Sequence, residues 1–371
     1  MMRTILFVAF LSIALSGRAQ VQGLSWETSL DYGRILKHTP RLLYTIPDRT
    51  WGVQVNAAFQ TYGRQEWQQH QGYPTMGMAL QYFELGDPQV LGQAIGILPN
   101  VSLRIIQRPN WNLRFQMGSG IALLTRTYHR IDNPTNNAIG STINNLTAFR
   151  LKGQVRIRPH WYLLGGVSFS HFSNASAQAP NLGINIPAWT IGLTYAPQPV
   201  EKESFIRHDA SPRPQKRWGL HLHAGMAFRE GKTPGGPKQP VYLGSLAGVY
   251  RFTKVHQLLF GIEQEFHRDN YLFGLHVYEY ADRKSARRGA SRTMFFVADE
   301  LKYGPLSILL QAGIYISPAS QGLPWFLYNK LGMRYYFPPV GKPATQFHVG
   351  VYLKSHRITA EYVALSFGAE L

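Results

Sequence analysis

Apolar and polar residues alternate along most of this chain. Over 111–123, Trp111, Leu113, Phe115, Met117, Ile121 and Leu123 share one parity, while Asn112, Arg114, Gln116, Gly118, Gly120 and Ala122 take the other. Over 147–158, Phe149, Leu151, Val155 and Ile157 oppose Arg150, Lys152, Gln154, Arg156 and Arg158. Further stripes run through Leu306, Ile308, Leu310, Ala312, Ile314 and Ile316, through Phe347, Val349, Val351 and Leu353, and through Val363, Leu365, Phe367 and Leu371. A period of two is that of a β-strand with one apolar face. Past the first residues there is no run of eighteen apolar positions, so a helical membrane protein is excluded.

Two architectures suit such strands: a soluble antiparallel sandwich, or a transmembrane barrel whose apolar face meets lipid and whose other face lines a polar lumen. Strand length favours the barrel. Segments of ten or more residues meet in tight turns at Arg108-Pro109-Asn110, Arg158-Pro159-His160 and Tyr303-Gly304-Pro305, with longer polar connections between the other ends. Twenty Tyr, 20 Phe and 8 Trp supply interfacial girdles. The reading is an all-β, antiparallel transmembrane β-barrel of roughly 12–16 strands. One barrel would use the whole of 20–371. The proline-bearing stretch 197–217 is read as a longer turn within it, and as the boundary if the sequence divides into halves.

The N-terminus is expected to be a cleaved signal peptide, residues 1–19. Arg3 supplies the basic region, Thr4 to Leu15 the apolar core, and Gly17-Arg18-Ala19 a small-x-small cleavage site. With no cysteine in the chain, neither a lipid-anchored cysteine nor a disulfide framework is available. The expected location is the outer membrane. The net charge of +18, of which Arg3 and Arg18 belong to the signal, favours anionic partners. For an exported barrel the polyanion at hand is lipopolysaccharide in the surrounding outer-membrane lipid; nucleic acid is not expected. The basic run Arg283, Lys284, Arg287, Arg288 and Arg292 reads as a solvated loop before it reads as a phosphate clamp.

Chemistry concentrates at one strand end. Along 161–173, Trp161, Leu163, Val167 and Phe169 set the apolar parity, which His171 and Ser173 continue. On the returning strand the parity of Trp189, Ile191, Leu193 and Tyr195 reaches back across Pro187 to Asn185. All three polar side chains are thus expected at the rim of the lipid-facing surface, where a lipid substrate is reached and a soluble one is not. A serine hydroxyl needs an adjacent base, imidazole can accept its proton and return it, and a third group must fix the imidazole tautomer. Asn174 and the N–H groups of the Ser-Asn-Ala turn, Ala175 included, are candidates for oxyanion stabilisation. Taken alone, His-x-Ser is a common polar strand end, and no Gly-x-Ser-x-Gly elbow is present.

The block His171-Phe172-Ser173-Asn174-Ala175 with Pro180-Asn181-x-Gly183-Ile184 resembles the signature of the lipid A 3-O-deacylase (acyloxyacyl hydrolase) family of outer-membrane β-barrels. Asn133-Pro134-Thr135-Asn136-Asn137-Ala138-Ile139-Gly140-Ser141 is similar to the loop preceding that signature. The resemblance covers mainly 130–195. It implies a cofactor-independent hydrolase that removes an ester-linked acyl chain from lipid A, with Ser173 as nucleophile and His171 as base. Asn174, Ala175 and Asn181 would then lie in the oxyanion and substrate-positioning region. Asn185 stands where smaller members carry glutamate; an amide oxygen can hold the tautomer but supplies no charge. Glu361, at the start of the last strand and on the parity of Val363 and Leu365, is a possible substitute acid and by default a rim carboxylate. His221-x-His223 lacks a third ligand and reads as girdle or lumen, so no metal is expected. The alternative from another class is a non-enzymatic barrel, either porin-like or lipopolysaccharide-binding.

Overall fold

The computed structural model describes residues 23–198, 204–208, 216–230, 234–316, 326–340, 345–357 and 359–371. The expected signal peptide lies outside them, as do Pro199, Pro212 and Pro214. The first eight strands are β1 (Leu24–Gly33), β2 (Thr50–Gln60), β3 (Thr75–Glu84), β4 (Gln93–Gln107), β5 (Trp111–Leu124), β6 (Ile143–Arg158), β7 (Trp161–Ser173) and β8 (Ile184–Tyr195). The second eight are β9 (Trp218–Glu230), β10 (Lys238–Arg251), β11 (His256–His267), β12 (Ser291–Tyr303), β13 (Leu306–Tyr315), β14 (Leu327–Tyr336), β15 (Gln346–His356) and β16 (Thr359–Glu370). Among the described residues three short helices, α1 (Glu66–His70), α2 (Arg268–His276) and α3 (Arg283–Gly289), sit in connections. Among the described residues no helix is long and apolar enough to cross a membrane.

All strand pairs are antiparallel, and the sheet closes twice. β1 pairs with β8, and β9 with β16, giving two eight-stranded barrels. The all-β antiparallel barrel reading holds at its upper strand count, but a single barrel across 20–371 does not. Alternation is identical in one large barrel and in two small ones. Closure depends instead on which free edges meet, since each open edge in lipid leaves unpaired N–H and C=O groups. The stretch 197–217 therefore joins two barrels instead of turning within one.

Both barrels put large apolar side chains outward, such as Leu30, Trp189, Ile191, Phe260, Val297, Leu310 and Leu365. This is the surface an outer-membrane barrel offers to lipid. Their lumens hold charges in matched pairs. In the first barrel Asp31 accepts from Arg150 at 2.5 and 3.1 Å, and Glu27 from Lys152 at 2.6 and 2.7 Å. An apolar cluster including Phe83, Leu124, Phe172, Ile184 and Ile186 fills the same lumen behind the ends of β7 and β8. The second lumen interleaves Glu263 and Glu265 with Lys330 and Lys354, and pairs Glu300 with Arg334 at 2.8 Å.

The tight turns at 108–110, 159–160 and 304–305 share one end of the molecule with the connection between the barrels. The barrels touch at both ends. At the tight-turn end Lys254 meets Glu66 at 2.5 Å, Gln71 donates to the Lys302 carbonyl at 3.0 Å, and Trp67 lies edge-on to Tyr303. The hydrogen bond from Lys254 holds the Glu66 carboxyl below its ordinary range. At the opposite end Ser176 Oγ donates to the Ala360 carbonyl at 2.8 Å and the Ala179 N–H to the Glu230 carboxylate.

Candidate functional site

β7 keeps strict alternation to its last residue. Trp161, Leu163 and Val167 are exposed outward, Leu164, Ser168 and Phe172 are buried inward, and His171 and Ser173 finish the outward row. β8 pairs with it in continuous register, Phe172 to Ile184, His171 to Asn185 and Phe169 to Pro187. The proline does not break the ladder. On its other side β1 ends at Gly33 opposite Ala188, so no β1 partner there needs a donor from Pro187.

The register brings the three residues into one chain of contacts. His171 Nε2 lies 2.9 Å from Ser173 Oγ, and His171 Nδ1 lies 2.6 Å from Asn185 Oδ1. With the Asn185 oxygen accepting from Nδ1–H, Nε2 is left to accept the serine proton. Ser173 is buried and His171 half-buried at the rim. Gly183 makes this fit possible. Its φ is +80°, and a Cβ there would stand 2.9 Å from His171 Cε1.

The turn after Ser173 spends most of its polar groups on itself. The Asn174 N–H donates to Asn181 Oδ1 at 2.9 Å, and Asn174 Nδ2 to Ser141 Oγ and the Gln178 carbonyl, each at 2.9 Å. Asn174 and Asn181 thus brace the turn. Ala175 and Ser176 follow in left-handed backbone, φ 51° and 63°, a conformation costing roughly 1 kcal/mol each that surrounding contacts must hold. Among the described residues the Ala175 N–H meets no acceptor.

The 133–141 segment acts as a bracket. Asn133 Nδ2 and Asn136 Nδ2 both donate to the Val90 carbonyl, at 2.9 and 2.8 Å. Asn137 ties the β1–β2 loop down through the Arg41 carbonyl (2.6 Å) and the Leu43 N–H (3.1 Å). The Asn137 and Ala138 carbonyls accept from the Leu182 and Gly183 N–H groups. Three asparagines in five residues were visible in the sequence, but their carbonyl partners, far along the chain, were not.

Sequence reasoning missed an outward apolar groove of about 640 Å³. A single row of paired residues crosses it: Leu113, Gly153, Gly165, Ile191 and Leu30, on β5, β6, β7, β8 and β1. Two facing glycines leave the dent, and Val167 and Trp189 line it toward the Phe169–Pro187 and His171–Asn185 rungs. The available signal was a glycine on the lipid-facing parity of both β6 and β7.

Three other expectations resolve away from this site. Glu361 is corrected: it belongs to the second lumen, 2.6 Å from Arg292 and 3.2 Å from Arg229. Ala360 pairs with Ser355 and Tyr362 with Lys354, so Glu361 is a bulge residue, and parity extrapolated through a bulge points to the wrong face. The basic run divides. Arg283, Lys284, Arg287 and Arg288 are exposed on α3, whereas Arg292 is buried against Glu361. His221 and His223 line the second lumen, His221 Nε2 lying 2.7 Å from His348 Nε2. Among the described residues no group of side chains could hold a metal ion.

Fold and surface together define an outer-membrane β-barrel protein with an outward polar triad at one rim. Residues 51–194 match the family model described as lipid A 3-O-deacylase (PagL). The match runs from β2 to the end of β8 and ends before β9. No curated protein matches the chain. Solved structures similar to it include CdiB from Acinetobacter baumannii (9% identity, 95% of this chain and 60% of that one, TM-score 0.20). The FrpB iron transporter from Neisseria meningitidis is another (9% identity, 92% and 67% coverage, TM-score 0.22). A third is OccAB4 from Acinetobacter baumannii (8% identity, 95% and 99% coverage, TM-score 0.24). The chain thus spans three fifths of CdiB, and scores this low carry no argument about arrangement or activity.

Proposed function

We propose that the first barrel is an outer-membrane ester hydrolase that removes an ester-linked acyl chain from lipid A of lipopolysaccharide, with Ser173 as nucleophile, His171 as general base and Asn185 as orienting group. The observation that carries this reading is the unbroken Ser173–His171–Asn185 contact chain on the outward parity of β7 and β8. Within it, Ser173 Oγ attacks the ester carbonyl while His171 Nε2 takes its proton. The tetrahedral intermediate collapses and the sugar alkoxide leaves with that proton, after which water, deprotonated by the same nitrogen, releases the fatty acid from Ser173. The Ala175 N–H is the donor for the oxyanion, and Asn174 and Asn181 hold the turn that presents it.

The apolar groove at Gly153 and Gly165 supports a lipid substrate. It runs along the same strands as the triad and accepts a chain from the bilayer without removing it from an apolar medium. No cofactor has a role in these steps. Export through residues 1–19 is part of the proposal. Mass spectrometry of lipid A from cells expressing the wild-type chain or Ser173→Ala tests it. The expected result is loss of one acyl chain with the wild type alone, and an unchanged acylation pattern in both refutes the enzyme.

A further inference from the structure

Nearly every lumen cation described above stands beside a carboxylate. The exceptions are grouped in one place. Arg104 on β4 pairs directly across to Arg114 on β5, and Arg114 to Lys152 on β6, so three inward cations lie side by side in a single row. Like charges directly opposite one another destabilise a sheet. Among the described residues one acid answers this row, Glu27, and both its oxygens are taken by Lys152. Arg114 donates to neutral oxygens, those of Thr75 (2.6 Å), Asn112 (3.2 Å) and Gln60 (3.4 Å). Among the described residues Arg104 Nε and Nη2 meet no acceptor, the guanidinium lying 4.8 Å from the Phe205 ring centre. Arg156, two rungs beyond Lys152, donates to the Tyr162 hydroxyl at 3.1 Å, and its buried Nε has no acceptor among the described residues.

All three guanidiniums line a cavity of about 700 Å³ at the tight-turn end of the first barrel, the end opposite Ser173. Phe205 and Arg207, from the segment that joins the barrels, complete its wall. Unsatisfied buried N–H groups on a charged side chain cost several kcal/mol unless a counter-charge accepts them. Planar guanidinium forks are suited to a tetrahedral oxyanion, and the cavity has room for an organic group attached to it.

We propose that this mouth of the first barrel is a binding site for a phosphate monoester, held by Arg104, Arg114 and Arg156 beneath the inter-barrel connection. The site is separate from the Ser173 chemistry and stands whether or not that chemistry does. A soluble phosphate ester and a lipid headgroup present the same group, so both are used as probes.

Thermal unfolding of the full chain, refolded in zwitterionic micelles, is followed with glycerol 3-phosphate, with dihexanoyl phosphatidic acid, and with chloride at matched ionic strength. The expected result is a saturable rise in Tm with at least one phosphate probe and none with chloride; which probe acts identifies the source. Arg104→Gln, which relieves the like-charge contact and so folds, is expected to weaken binding by about tenfold, the effect of one charge-assisted hydrogen bond. No saturable shift with either probe, or an undiminished one in Arg104→Gln, overturns the proposal. A readout that needs no variant is the ³¹P line of glycerol 3-phosphate, expected to broaden with wild-type protein and sharpen again on addition of sulfate; an unchanged line overturns it equally.

Discussion

At the triad end of the molecule, β7 leads to β8 through residues 174–183, whereas β15 leads to β16 through residues 357 and 358 alone. Both outgoing strands end in serine and histidine. In the first barrel His171 and Ser173 are two apart, share the outward face and make a 2.9 Å contact. In the second, Ser355 and His356 are adjacent, and His356 is buried against the Tyr315 hydroxyl at 2.8 Å, with Glu361 at 3.7 Å. The same residue types form an outward contact pair in one barrel and pack the lumen in the other. Parity and loop length separate the two: alternate residues share a face and neighbours do not, and only the longer loop has room for a turn behind the serine.

Removing each serine in turn separates the two strand ends. Ser173→Ala is expected to lower fatty-acid release from purified lipid A by about 10³-fold or more, and Ser355→Ala to leave it unchanged. Equal losses would mean that both barrels contribute chemistry. The next largest effect concerns the second barrel alone. Glu361 balances Arg229, Arg292 and Lys354, so Glu361→Gln leaves buried cations short of a counter-charge. It is expected to cost about 3 kcal/mol, read as a lower urea midpoint in micelles, with acyl release by the first barrel retained. A large loss of turnover at unchanged stability would place Glu361 in the reaction after all.

Within the triad, Asn185→Ala is expected to reduce kcat by about 10²-fold with little change in substrate affinity, because the imidazole loses the acceptor that fixes its tautomer. Asn185→Glu is expected to exceed the wild type, since a carboxylate also stabilises the imidazolium. If Asn185→Ala has wild-type kcat, the orienting role is wrong however short the 2.6 Å contact.

Strands, their faces and the outward placement of His171, Ser173 and Asn185 were legible because each depends on period-two alternation, a local property. The number of barrels was not. It depends on whether Trp26 to Gly33 of β1 finds Ala188 to Tyr195 of β8 or some later strand, a pairing between residues more than 150 positions apart. Glu361 was misread for a related reason: the bulge that turns it inward is a mismatch between β15 and β16 and leaves no mark on the alternation of either strand. The asparagines of 133–137 showed as a motif, but their purpose depends on the Val90 and Arg41 carbonyls, which fold onto them only when the loops assemble.

The smallest expected effect tests whether the second barrel reaches the site at all. Its route is Glu230, at the end of β9, whose carboxylate accepts from the Ala179 N–H in the loop behind Ser173 and from the Gly235 N–H of its own barrel at 2.7 Å. The neighbouring Arg229 is tied to Asp269 at the start of α2, so the contact is anchored on its far side. Glu230→Ala frees one end of the 174–183 loop, while Ser176 still holds the Ala360 carbonyl. Turnover is expected to fall only a few-fold, about 1 kcal/mol for the net contribution of one hydrogen bond, with Tm nearly unchanged because the barrel ladders are intact. Glu230→Gln, which keeps an acceptor, is expected to recover most of the loss. A Glu230→Ala variant with wild-type kcat would show the two barrels to be catalytically independent, each closed on its own hydrogen bonds and touching only at the rims.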